Sequence, residues 1–402
     1  MADHVLTLNA GSSSIKFALF AAEAPWPRLL AEGQVQGLGA EPIFEAAIFG
    51  GASAKDPMVG ETHAVGLRHI LDWLKDSLPE IAINAVGHRV VHGGIEFAAP
   101  TIVDDSVLRE LRALEPLAPL HQPHNLSGIE AARAVFPFAP QVACFDTAFH
   151  RGHSFVNEAY ALPRDYYERG VRRFGFHGLS YEYIARRLRE TDPVLACGRV
   201  IAAHLGNGAS LCAMKDGRSV ASTMGFSALE GLPMGTRCGQ IDPGVLLYLL
   251  NQEGLSPEAL GELLYERSGL KGLSGVSQDM RTLEASDSPD AQGAIAYFTH
   301  RIRMEIGALT ATLGGLDALV FTGGIGEHSA RVRAEALSDM GWLGLSIDPD
   351  ANARSDMRIS AREAKIPVYI IAANEEATIA RHAIKTAGLT QVSTAAGCGL
   401  KA

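Results

Sequence analysis

Four stretches carry the clearest pattern of apolar and polar positions. At residues 6–20, L-T-L-N-A-G-S-S-S-I-K-F-A-L-F, two apolar runs flank Gly11 and three hydroxyls, which predicts strand, turn and strand. Across residues 291–313, Ile295, Phe298, Ile302, Ile306, Leu309 and Leu313 fall three or four apart, the spacing of one buried helical face, and Gly314-Gly315 suit a C-cap. Residues 318–327, A-L-V-F-T-G-G-I-G-E, read as a buried strand entering a Gly-rich turn, with R-V-R-A-E-A-L helical behind it. Residues 368–380, V-Y-I-I-A-A-N-E-E-A-T-I-A, repeat that order: strand, polar end, helix. Strands and helices alternate throughout, so the expected class is α/β, with ligands at the carboxyl ends of the strands.

Composition narrows the class. A chain of 402 residues suits two domains, and 47% hydrophobic with 20% charged residues is ordinary for a globular protein. No stretch approaches the roughly 18–20 apolar residues of a membrane span, and Asp3 and His4 lead into a strand without a signal peptide, so the expected location is cytoplasmic with no membrane partner. Five cysteines, Cys144, Cys197, Cys212, Cys238 and Cys398, lack C-x-x-C spacing, which argues against a disulfide framework or a zinc site. The net charge of −10 argues against nucleic acid.

The first hairpin is a candidate phosphate cradle. Backbone N–H groups and the oxygens of Ser12 and Ser14 can wrap a phosphate, with Asn9 and Lys16 flanking it, although a plain Ser-rich turn has the same composition. Neither Walker nor Rossmann glycine spacing is present. A weak repeat places A-H-L-G-N-G-A-S-L over L-N-A-G-S-S-S-I-K, matching His204 with Asn9, Gly206 with Gly11 and Asn207 with Ser12. It predicts a duplicated domain, one hairpin per half, a nucleotide in the cleft, and a boundary near residue 150 with the last helix packing back on the first half.

Other motifs point to a small anion. In G-H-R-V-V-H-G-G, Arg89 stands beside two valines, so a guanidinium fork and an apolar patch are together, as a short carboxylic acid requires. M-G-T-R-C-G-Q-I-D-P-G sets Arg237 in a glycine-bounded turn. F-D-T-A-F-H and R-F-G-F-H-G-L-S set Asp146 and His177 beside aromatic residues; a helix cap and a satisfied core histidine are the bland readings of these two. His88, His92, His121, His124 and His150 show no convincing metal-ligand spacing.

Together with L-A-P-L-H-Q-P-H-N, F-T-G-G-I-G-E-H and N-E-E, these motifs in their order resemble the acetate kinases from residue 5 to about 380. The resemblance implies the duplicated actin-like, Hsp70-ATPase and sugar-kinase fold, with domains 1–150 plus a packed-back 380–402, and 151–379. It implies a homodimer that turns acetate and ATP into acetyl phosphate and ADP with Mg²⁺ or Mn²⁺. It makes Arg89 and Arg237 the acetate and transition-state arginines, His177 a transition-state stabiliser and Asp146 the acidic catalytic position. Asn9 with Glu375 or Glu376 would serve the metal, and Val91, Leu120 and Phe176 would line the methyl pocket. Ser12, Ser14, Lys16, His204, Leu205, Gly206, Asn207, Gly208, Asp279, Met280, Arg281, Gly324, Ile325, Gly326, Glu327 and His328 match nucleotide positions.

The chemistry agrees. Acetate is already a nucleophile at pH 7, so the difficulty is bringing two anions together, and Asp146 reads better as orienting an arginine or the metal shell than as a base. Three positions depart from the common pattern: Ala228 replaces a proline, Gln240 an Asp and His328 an Asn. Ala228 leaves propionate as the alternative substrate. A nucleotide switch of the actin or Hsp70 kind is disfavoured, because Arg89 and Arg237 would lack an anion.

Overall fold

A computed structural model describes residues 3–11, 13–60, 62–390 and 392–393. Contacts divide the chain into two units, one running to Ala148 and resuming at Asn374, the other spanning Phe149–Ala373. The first unit holds strands β1 His4–Ala10, β2 Ser14–Ala21, β3 Arg28–Gln36, β4 Ile43–Ile48, β5 Ser53–Pro57, β6 Ala85–Val90, β7 Thr101–Ile102 and β8 Gln141–Phe145, in the order β5-β4-β3-β2-β1-β6-β8-β7. The second holds β9 Arg199–Leu205, β10 Ala209–Lys215, β11 Arg218–Ser222, β12 Ala318–Thr322 and β13 Val368–Ile370, in the order β11-β10-β9-β12-β13.

The two sheets share one plan. In each, a hairpin (β1-β2, β9-β10) takes a third antiparallel strand on one side and two parallel strands on the other: β6 and β8 beside β1, and β12 and β13 beside β9. Parallel strands buried on both faces must be apolar at nearly every position, and Ala318–Thr322 is fully buried for that reason. The duplication inferred from a nine-residue match is therefore a duplication of topology. The ungapped match slips, however: Ala10 pairs with Ile15, whereas Leu205 pairs with Ala209, so the second turn is one residue shorter. Lys16, opposite Asn9, therefore corresponds to Ser210, opposite His204, and not to Leu211.

Helices cover the sheets. Leu67, Ile70, Leu71 and Leu74 of the helix His63–Ser77 pack with Leu6, Leu8, Ile15, Phe17 and Leu19. The helix Glu375–Thr386 lies on β1, β6 and β8, and approaches so closely that a Cβ on Gly87 would stand 2.6 Å from Ile379 Cγ2. That packing draws the helix, from Asn374, into the first unit, and residues 394–402 lie outside the described residues. In the second unit, Tyr181, Ile184 and Leu188 of the helix Gly178–Thr191 pack on Val200, Ala202 and Val320. The long helix runs Pro289–Leu313 and ends on Gly314 at φ +70°.

One local expectation differs. The Gly-rich turn after β12 is a short helix, Gly323–His328, because both its ends are satisfied. Glu327 Oε1 accepts from Gly323 N at 2.9 Å, and the fully buried Arg333 donates through Nη1 to Gly326 O and Glu327 O, each at 2.9 Å.

Candidate functional site

In the first unit the ends of β1, β6 and β8 carry Asn9, Arg89 and, one residue past the strand, Asp146. Asp146 is 1% exposed and takes one edge of the Arg89 guanidinium, accepting from Nε at 3.1 and 3.2 Å and from Nη2 at 2.7 Å. Glu375 Oε2 stands 3.6 Å from Arg89 Nε. Burial works against the Arg89 charge, but Asp146 and Glu375 outweigh it and raise its pKa above the usual arginine value. Among the described residues no hydrogen bond joins Nη1, so the guanidinium keeps one edge for an anion.

Asn374 caps the helix of the two glutamates, its side chain accepting from Ala377 N at 2.8 Å, so Glu375 and Glu376 occupy the favourable first turn. Burial, and then the Glu375 charge, push the Glu376 carboxyl upward, with Lys16 acting the other way. Lys16 is exposed on β2, Ser14 is half-buried, and Ser12 lies outside the described residues. Val91 is buried, and its backbone is anchored by Asn125, which accepts from Val91 N at 3.0 Å and donates to Ala10 O at 2.7 Å. Leu120, expected beside Val91 in an apolar pocket, is instead 39% exposed in the turn before the helix Gln122–Val135.

In the second unit His177 occupies the left-handed region at φ 56°, ψ 23° and starts the helix Gly178–Thr191. Its Nδ1 lies 2.8 Å from Ser210 Oγ, and its ring stacks on His204 at 4.3 Å between centroids. His204 in turn meets Ser180 Oγ through Nδ1 at 2.9 Å. Arg237 sits in a turn strapped by backbone bonds: Ser268 N to Thr236 O, Leu270 N to Met234 O and Lys271 N to Gly235 O at 2.8–3.0 Å. Gly269, at φ +63°, is needed there, since a Cβ would fall 2.1 Å from Met234 O. Arg237 Nη1 donates to Ala228 O at 3.1 Å, so the position of the replaced proline holds the arginine through its carbonyl. His177 and Arg237 converge on Gly208, where a Cβ would lie 3.1 Å from His177 Nε2 and 3.9 Å from Arg237 Nη1. Phe176 is buried, with its carbonyl accepting from His150 Nε2 at 2.9 Å.

A cavity of about 370 Å³ in this unit is lined by Gly206, Asn207, Asp279, Met280, Arg281, Gly324, Ile325 and His328, all expected, and by Gln278, Glu284 and Ser329, which were not. His204, Leu205, Gly208, Gly326 and Glu327 do not line it: Leu205 is buried strand, and Glu327 is turned to the backbone, accepting from Ala373 N at 2.9 Å. Asp279 caps the helix Met280–Glu284 and grips Arg281 at 2.6 Å. Gln240 accepts from Arg301 of the long helix. Asn125 and Ser210 lie inside motifs already singled out by sequence, but strand register and buried partners, which no spacing reveals, give them their places. Among the described residues no group of three His, Cys, Asp or Glu forms a metal cluster, and Cys144, Cys197, Cys212 and Cys238 form no disulfide.

Comparison with known proteins identifies the family. The sequence matches the acetokinase family over residues 4–381. It is 54% identical over 396 residues to an acetate kinase of Methylocella silvestris, covering 94% of this chain and 97% of the relative. It is 51% identical over 389 residues to one of Rhodopseudomonas palustris, covering 95% and 98%. Among solved structures, Porphyromonas gingivalis acetate kinase aligns with a TM-score of 0.86 at 37% identity, covering 96% of this chain and 100% of that one. A propionate kinase from Francisella tularensis aligns at 0.90 and 34%, covering 95% and 99%. The chain therefore belongs to the acetokinase family, with the duplicated actin-like fold and the phosphotransferase activity of that family.

Proposed function

We propose that this protein transfers the γ-phosphoryl group of ATP reversibly and directly to acetate, giving acetyl phosphate and ADP. The observation that carries the reading is Arg89: one edge is fixed by Asp146, the other is left for a carboxylate, and the buried Val91 stands two residues on. A fork held on one edge is pre-organised, so little side-chain entropy is lost when acetate binds. Arg237 and His177 supply donors for charge that develops on the equatorial oxygens, and Gly206, Asn207, the 279–281 segment and Gly324, Ile325 and His328 hold the nucleotide. Asp146 orients Arg89 and removes no proton, because acetate has none to lose at pH 7.

The first-turn carboxylates fit a divalent cation. Glu376 is raised by burial and by the charge of Glu375, a repulsion that a cation relieves, and Asn9 adds a neutral oxygen. Such an oxygen-only set suits Mg²⁺ or Mn²⁺, which bind through one or two carboxylates together with phosphates. When bound, the ion neutralises phosphate charge. Which of the two glutamates serves it is read from the metal dependence of Glu375→Gln against Glu376→Gln.

A homodimer and a cytoplasmic location belong to the same proposal. The helix Pro243–Asn251, P-G-V-L-L-Y-L-L-N, is apolar around its circumference yet has no buried residue, with Val245, Leu247 and Tyr248 exposed. Such a helix calls for a partner, and a second copy is the one proposed. No described helix is long and apolar enough to cross a membrane.

The test is hydroxamate trapping of acyl phosphate from ATP with acetate, propionate and butyrate. Acetate is expected to give the highest kcat/KM, with each added methylene costing about 10- to 200-fold. A preference for propionate would move the assignment to that alternative; ADP release without acyl phosphate from any acid would point to the nucleotide switch.

A further inference from the structure

Ser210 is fully buried on β10, and its hydroxyl touches two other buried groups: Tyr181 Oη at 2.6 Å and His177 Nδ1 at 2.8 Å. In the sister hairpin the same register position carries Lys16, an exposed cation. The two copies thus use this position differently, one for a solvated charge and the other for a hydroxyl aimed at a ring nitrogen. A serine hydroxyl has one hydrogen, so its two contacts constrain each other. When Tyr181 O–H donates to Ser210 Oγ, Ser210 O–H donates to His177 Nδ1, and the histidine proton resides on Nε2. When His177 is an imidazolium, Nδ1–H donates to Ser210 Oγ, Ser210 O–H turns to Tyr181 Oη, and Nε2–H is retained.

Resting on the functional reading above, we propose that Ser210 and Tyr181 are positioning residues that keep the His177 Nε2 a hydrogen-bond donor in both charge states of the ring. Nε2 is the edge that abuts Gly208, where Arg237 Nη1 also converges. A donor there meets phosphoryl oxygens; the other neutral tautomer would present a lone pair to the same oxygens and repel them. The stack on His204, itself held by Ser180, fixes the plane of the ring but not which nitrogen carries the proton. That choice falls to the pair, because while Tyr181 O–H donates to Ser210 Oγ the serine's own hydrogen is the one left for Nδ1, and the left-handed backbone of His177 is one more constraint holding the ring in place.

The experiment combines kinetics with histidine ¹⁵N NMR on the full-length protein. Ser210→Ala is expected to lower kcat by about 10- to 100-fold, as a displaced catalytic group does, with the KM values for ATP and acetate within about twofold of the parent. Ser210→Thr should restore most of the rate. Tyr181→Phe, which leaves the serine in place, should show a smaller loss of the same kind and serves if Ser210→Ala folds poorly. On a His177→Ala background, Ser210→Ala should cost nothing further. The His177 resonances, assigned by their loss in His177→Ala, should show the Nε2–H tautomer in the parent and a mixture with Nδ1–H in Ser210→Ala. A folded Ser210→Ala with parental kcat, an undiminished loss on the His177→Ala background, or an unchanged tautomer would overturn the proposal. Should the parent form no acyl phosphate, the functional reading falls while the tautomer still decides the relay.

Discussion

At the scale of single residues, the account separates two arginines by what holds them. Arg237 is fixed by a backbone carbonyl, and its proposed role is confined to the transferring phosphoryl group. Arg237→Ala should therefore lower kcat by roughly 10²–10³-fold, with a smaller change in the acetate KM. Arg89 is proposed to hold the ground-state carboxylate too, so Arg89→Ala should raise the acetate KM as well as lower kcat. An unchanged acetate KM in a folded Arg89→Ala, or an unchanged kcat in Arg237→Ala, removes that residue from the site. The strand ends and turns that carry Arg89, Asp146, His177 and Arg237 were legible because their motifs pair a charged side chain with glycines or aromatics, while the roles given to the four belong to the proposal. The placements of Leu120 and Glu327 were not legible. Leu120 is apolar but sits in an exposed turn, and Glu327 is a surface-type residue recruited to cap a helix, so for both the local environment overrides what the residue type signals.

Among elements, the hairpins decide most. The two apolar runs flanking Gly11 and three hydroxyls in residues 6–20 made the first hairpin readable, and a repeat of nine positions was enough to find its sister. The one-residue difference in turn length was invisible, because only cross-strand pairing shows that Ser210 and not Leu211 occupies the place of Lys16. The shorter turn carries Gly208. A Cβ there would stand 3.1 Å from His177 Nε2, tighter than ordinary contact, so Gly208→Ala must displace the imidazole or the turn. We expect about a tenfold or larger loss of kcat with little change in thermal stability. A Gly208→Ala enzyme of parental kcat would mean that the imidazole does not serve the reaction from this position. The Gly-rich helix Gly323–His328 taught the opposite lesson. Its glycines read as a turn, and the helix is held by Glu327, the acid at the end of that motif, and by the buried Arg333, which lies outside it.

For the whole molecule, buried histidines set the acid limit. Burial lowers His88 to about 4 and His150 to about 3, and burial with the charge of Arg151 lowers His153 to about 4. Each is neutral in the fold but takes up a proton when unfolded below pH 6.5, so its stabilisation is complete above that value and falls as pH drops toward 4. Together they should cost roughly several kcal/mol across that window, seen as a falling Tm. His88→Gln or His150→Gln should flatten the dependence, and an unaltered slope in both would mean that neither histidine contributes. The alternation of strands and helices revealed the α/β class and the duplication, whereas the return of the C-terminal helix to the first sheet depended on Gly87 leaving it room. The central claim is direct transfer to acetate, and ³¹P NMR of the parent enzyme with ATP, Mg²⁺ and acetate tests it most directly. The account predicts acetyl phosphate and ADP appearing one for one, with no early inorganic phosphate and no reaction when acetate is withheld. ADP and inorganic phosphate rising together, with or without acetate, would contradict it.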